Sequence, residues 1–124
     1  MIGYVTLGVA DMQRAIAYYD ALLGELGASR MMTSERFTLW SVKPSKPGLA
    51  VVLPYDQKPA TVGNGCMTAL VVDSQEKVDA LHRKALALGG TDEGAPGPRG
   101  YGFYGGYFRD LDGNKLNFFT MLSA

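Results

Sequence analysis

Tyr4-Val5-Thr6-Leu7-Gly8-Val9-Ala10-Asp11-Met12-Gln13-Arg14-Ala15-Ile16-Ala17-Tyr18-Tyr19-Asp20-Ala21-Leu22-Leu23-Gly24-Glu25-Leu26-Gly27 is the stretch whose pattern decides the fold. Its first residues alternate in polarity, which predicts a strand over Tyr4–Val9. The period then changes. Met12, Ala15, Ile16, Tyr19, Leu22, Leu23 and Leu26 recur at steps of three and four, the spacing that gathers side chains on one face of a helix. Asp11 stands where a carboxylate can accept the first free backbone N–H groups. Gly27 stands where a helix ends in a left-handed residue. Three strand-like segments follow, near 28–32, 36–42 and 49–53, with Pro44 and Pro47 in the last connection.

Working outward, the second half repeats that order. Residues 67–72 read as a strand, and Asp73 with Glu76 three residues later forms a capping-box pattern. Val78, Leu81, Ala85 and Leu88 give a buried stripe that Gly89-Gly90 ends. A short segment near 91–95, a strand near 103–109, a turn at Asp112-Gly113 and a strand near 115–121 complete it. Asp11 falls on Asp73, Ile16 on Val78, Tyr19 on Leu81 and Gly27 on Gly89, each pair 62 residues apart. Strand–helix–three strands, written twice, predicts an α+β fold of paired βαβββ modules. The modules span about residues 1–54 and 63–122, with a linker at 55–62 containing Pro59, inside one domain of 124 residues.

Composition narrows the function. Twelve basic residues balance twelve acidic ones with no basic cluster, so nucleic acid and anionic membranes find no electrostatic footprint. No apolar run is long enough to span a bilayer, and Met1-Ile2-Gly3-Tyr4 does not open a secretory signal. One cysteine, Cys66, excludes an internal disulfide and a Cys-rich zinc site, and fits the cytoplasm.

Residues 4–11 with Arg14-Ala15-Ile16-Ala17-Tyr18-Tyr19 and Leu22-Leu23-Gly24 resemble the opening of the glyoxalase/bleomycin-resistance/extradiol-dioxygenase (vicinal oxygen chelate) superfamily. Gly63-Asn64-Gly65-Cys66-Met67 and Val78-Asp79-Ala80-Leu81-His82 are similar to the start of its second module. Phe108-Arg109-Asp110-Leu111-Asp112-Gly113-Asn114-Lys115-Leu116 is similar to its closing hairpin. The resemblance implies curved mixed sheets enclosing a cleft, where metal-dependent members hold a divalent ion with two His and one or two Glu. At those positions this chain has Tyr4, Met67 (Cys66 if the register slips by one) and Asn117, and no carboxylate among residues 49–53. A neutral phenol, a thioether and an amide carbonyl are poor ligands for such an ion. No metal and no cofactor are therefore expected.

The expected function is a metal-free, bleomycin-resistance-like protein that binds a small organic molecule. The resemblance also implies a homodimer. The alternatives are a lyase or dioxygenase of the same superfamily with altered ligands, and an interaction module with a vestigial cleft.

Strand parity supplies candidate ligand-binding residues, since side chains two apart share a face. If Tyr4 lines the cleft, so does Thr6, while Val5, Leu7 and Val9 meet the helix. Met67 brings Ala69 with it, and Asn117 brings Lys115 and Phe119. Trp40 is a candidate for stacking on a ligand or for core packing. The Gly-rich stretch Gly97–Tyr107, carrying Arg99, Tyr101 and Tyr104, is either a lid over a bound molecule or a tightly curved hairpin. Cys66 reads as a small buried hydrophobe, His82 as the flank of a packed helix face, and Asp110 and Asp112 as turn residues. With one histidine on a helix, no Ser-His-Asp or Cys-His arrangement is available.

Overall fold

The computed structural model describes residues 1–122, and the chain divides into two compact units, one spanning Met1–Val62 and the other beginning at Gly63. The first contains β1 (Tyr4–Gly8), α1 (Met12–Gly24), β2 (Ser29–Thr33), β3 (Phe37–Ser41) and β4 (Gly48–Val52). The second contains β5 (Thr68–Val71), α2 (Gln75–Ala87), β6 (Thr91–Pro98), β7 (Phe103–Arg109) and β8 (Lys115–Met121). Each unit is a four-stranded mixed sheet, ordered β1-β4-β3-β2 in one and β5-β8-β7-β6 in the other. In both, the first strand runs parallel to the last and the other pairings are antiparallel. This is the α+β, doubled βαβββ arrangement the sequence predicts.

The helices are bounded by the same chemistry. Asp11 accepts the Arg14 N–H at 3.1 Å, and Ser74 accepts the Lys77 N–H at 3.2 Å. The second cap is thus Ser74, not Asp73, and the expected capping box does not form. Asp73, one residue further out, pairs instead with Lys77 at 3.0 Å. At the other end Gly27 (φ 79°) and Gly89 (φ 110°) both adopt the left-handed conformation. That conformation lets the next residue reach back to the helix: Ala28 N–H to Leu23 O at 3.1 Å, and Gly90 N–H to Ala85 O at 3.0 Å.

These landmarks correct the internal register. The helices begin at Met12 and Gln75 and end at Gly24 and Ala87, 63 residues apart at both ends, while the glycines remain 62 apart. Under that offset Ala15, Tyr18, Tyr19 and Leu22 fall on Val78, Leu81, His82 and Ala85, and all eight are buried. The second unit therefore has one residue fewer between helix and turn. The same offset sets Tyr4 opposite Met67 and Thr6 opposite Ala69.

Each helix covers one face of its own sheet. In the first unit Trp40 (1% exposed) lies against Tyr19 with ring centroids 5.7 Å apart, and Thr38 donates to Met12 Sδ at 3.5 Å. In the second, Phe108 and Phe118 stack at 5.5 Å beneath Val78, Leu81 and Ala85. Gly106 leaves room for the helix: a Cβ there would stand 3.0 Å from both His82 Cδ2 and Pro96 Cγ. The opposite face of each sheet is not covered by its helix.

Candidate functional site

The open faces follow from the ladders. Tyr104 donates its hydroxyl proton to Asp79 of α2 at 2.7 Å, and Gly106 and Phe108 also lie on the helix side, so Phe103, Gly105, Tyr107 and Arg109 lie on the other. Tyr107 pairs with Asn117, and Asn117 with Ala69. Lys115, Asn117, Phe119, Ala69 and Val71 thus share the open face of the second unit.

Arg99 completes it from the turn between β6 and β7. Its guanidinium donates to Ala95 O at 2.6 Å and lies 5.3 Å from the centre of the Tyr107 ring. Lys115 Nζ lies 5.5 Å from the same centre. Two glycines make this possible. A Cβ on Gly97 would stand 3.0 Å from Arg99 Nη1, and one on Gly94 would stand 3.4 Å from Nη2. Phe103 and Phe119 stack nearly parallel, with centroids 4.8 Å apart.

At the centre of this face is Asn117. It is fully buried, and neither Oδ1 nor Nδ2 has a hydrogen-bond partner. Buried side-chain amides nearly always find partners, because leaving a donor or acceptor unmade costs about 1–3 kcal/mol. The face therefore combines three cations, of which Arg109 is paired with Glu93, three aromatic rings and an amide whose donor and acceptor are both unspent.

The first unit's open face is plainer. Tyr4 is 56% exposed and meets Phe37 edge-on at 5.9 Å, and Thr6 is exposed beside it. Val5 and Leu7 are half-buried and Val9 is fully buried on the helix side, the alternation expected from parity.

Of the residues singled out by sequence, the second unit's open face gathers Arg99, Asn117 and Phe119. Met67 is partly exposed just before β5. Trp40 lies elsewhere, in the helix-side core with Nε1 donating to Asp20 at 2.8 Å. Tyr104 is also on the helix side, and its bond to the Asp79 carboxylate, reinforced by burial and the negative charge nearby, raises its pKa above the ordinary 10.0.

Tyr101, at φ 55°, sits exposed at the hairpin tip. The stretch carrying these residues is a hairpin: β6 extends to Pro98, and Arg99 N–H bonds Phe103 O at 2.8 Å. The lid reading is therefore set aside. Cys66 is exposed rather than buried. His82 is buried, its Nε2 3.0 Å from Tyr107 O and 3.2 Å from Asp92 Oδ1. Asp110 serves the turn, its Oδ1 accepting the Asp112 and Asn114 N–H groups at 2.9 Å. Sequence reasoning passed over Tyr107 and Phe103, although counting back in twos from Arg109 along β7 finds both.

The donor set does not fit the superfamily's divalent ion. Among the described residues no three His, Cys, Asp or Glu side chains are grouped so as to hold a metal. Asn117 can offer only a neutral carbonyl.

Doubled βαβββ units with one open sheet face each define the class of protein. The sequence model of the Glyoxalase/Bleomycin resistance protein/Dioxygenase superfamily matches residues 1–118, and the chain belongs to that superfamily. It is similar to a glyoxalase/bleomycin resistance protein of Albidiferax ferrireducens T118, with 35% identity, 97% of this chain and 98% of that one covered, and a TM-score of 0.88. The fold is shared with a glyoxalase-related enzyme of Fulvimarina pelagi (20% identity, 97% and 87% covered, TM-score 0.77). It is also shared with a lactoylglutathione lyase of Agrobacterium tumefaciens (18% identity, 97% and 92% covered, TM-score 0.71). No curated protein matches the chain. Among the described residues, no helix is long and apolar enough to cross a membrane.

Proposed function

We propose that this protein binds a small organic molecule without a metal ion, in the manner of a resistance or sequestration protein rather than a lyase or dioxygenase. The observation that carries the reading is Asn117. A buried amide with nothing bonded to it is complementary to a ligand that brings its own acceptor and donor. Around it, Phe119 and Phe103 present aromatic surface, and Arg99 and Lys115 present positive charge. That chemistry suits a planar organic molecule with a polar edge and a partial or full negative charge.

The cationic character of this face supports binding over catalysis. Arg99, Arg109 and Lys115 lie on it beside Tyr107, and its carboxylate, Glu93, is held in the ion pair with Arg109. The reading extends to a homodimer in the cytoplasm, where a single exposed thiol such as Cys66 stays reduced.

A thermal-shift screen of aromatic and anionic metabolites in the presence of a chelator tests the proposal, since a ligand that prefers the folded state raises its stability. The expected result is a chelator-resistant hit that Asn117→Leu abolishes while remaining folded. Hits that require an added divalent ion restore the enzyme reading. No hit across a broad library favours an interaction module.

A further inference from the structure

We propose that the first unit carries a second site, separate from the open face, for a small organic monocarboxylate. A pocket of about 510 Å³ lies where β1 gives way to α1 and β4 runs into the connector. That volume falls within the range of small-molecule sites, about 300–1,000 Å³. Val9, Leu53, Pro54 and Pro59 give it apolar walls, and Arg36 and Lys58 are its charged groups.

The two cations differ in how they are held. Arg36 Nη2 donates to Pro54 O at 2.7 Å and lies 3.4 Å from Leu53 O. That anchors one part of the guanidinium to backbone, and among the described residues Nε and Nη1 have no partner. Lys58 contributes its backbone N–H to Asp56 Oδ1 at 3.0 Å, but among the described residues its Nζ has no partner. No carboxylate lines the pocket, and among the described residues neither cation has an acidic partner. The nearby turn is also specified rather than relaxed. Gln57 adopts φ 64°, a left-handed conformation that costs a non-glycine residue about 1–2 kcal/mol, and its N–H closes the turn onto Pro54 O at 2.9 Å.

With Nη2 taken up by backbone carbonyls, Arg36 offers a carboxylate oxygen one charged donor, Nε–H or Nη1–H, and Lys58 Nζ on the same pocket offers another. The lysine adds a second positive charge, and the apolar walls take the body of the molecule. Phosphate would use the charges but leave those walls wet. The site is thus one for an acid with a short aliphatic or aromatic body.

Benzoate is the probe, titrated calorimetrically into the full chain, with inorganic phosphate in parallel. One benzoate is expected to bind per chain, and phosphate at least about tenfold more weakly. Lys58→Glu reverses a charge that has no partner among the described residues, so it should abolish binding with the fold intact by circular dichroism. Arg36→Gln should weaken binding by about tenfold or more. Asn117→Leu should leave it unchanged, which separates this site from the open face. The proposal is overturned if benzoate does not bind, if Lys58→Glu binds as the parent does, if phosphate matches benzoate, or if Asn117→Leu alone removes binding.

Discussion

Replacing Asn117 by leucine should make the protein more stable. The two side chains have the same number of heavy atoms and the same branching, so the exchange tests polarity rather than volume. In the parent, Oδ1 and Nδ2 are both buried without partners. Burying an unsatisfied amide costs about 1–3 kcal/mol by protein mutational data. Leucine removes that cost, and cross-strand contact with Tyr107 and Ala69 is retained. A gain of about 1–3 kcal/mol in a chain of this size corresponds to roughly 3–12 °C in melting temperature. Urea denaturation followed by circular dichroism reads it directly, as a higher midpoint with an unchanged slope. The gain should come with loss of ligand binding, the trade expected where a polar group is kept for function. A variant less stable than the parent, or equal to it, would refute the reasoning, because the amide would then be satisfied in the folded protein.

Other outcomes follow from the same geometry. Trp40→Phe removes the bond to Asp20, which also pairs with Arg30 at 3.0 Å. It should cost about 1.5–3 kcal/mol in denaturant unfolding while leaving open-face ligand binding intact. Tyr104, held protonated by Asp79, should ionise above the ordinary phenol value of 10.0 when followed by ultraviolet difference absorbance, and Tyr104→Phe should remove that late transition. The bond's contribution to stability is full below the unfolded phenol's pKa and is lost as pH rises through the higher folded value.

The fold was legible because two signals agreed at the helices, and the order of elements repeated. The change of period at Met12 separated strand from helix, and Gly27 and Gly89 marked equivalent helix ends. The register was off by one in the second helix because aspartate and serine are near-equal caps and stand side by side at Asp73-Ser74. Strand parity placed Asn117, Lys115 and Phe119 together, since that inference needs only a period of two.

It could not place Trp40, because Phe37 to Ser41 is apolar or small on both faces and carries no alternation to assign a side. The hairpin at Gly97–Tyr107 was ambiguous for a related reason. Glycine permits both a flexible loop and a close approach, and only the position of Arg99 across Gly94 and Gly97 shows which was needed. Cys66 was misjudged because a short polar loop exposes what composition alone would bury. Arg36 and Lys58 carried no signal at all. They lie 22 residues apart in sequence, and only the turn at Pro54–Gln57 brings them to one pocket.

The side-chain NH2 signals of Asn117, assigned in a ¹⁵N–¹H spectrum by their loss in Asn117→Leu, test the central claim most directly. On titration with a ligand that stabilises the protein in chelator, those signals should move saturably, along with the backbone amides of Tyr107 and Phe119. Signals that stay fixed while the protein is saturated, with the shifts falling elsewhere, would contradict the claim that this amide reads the ligand.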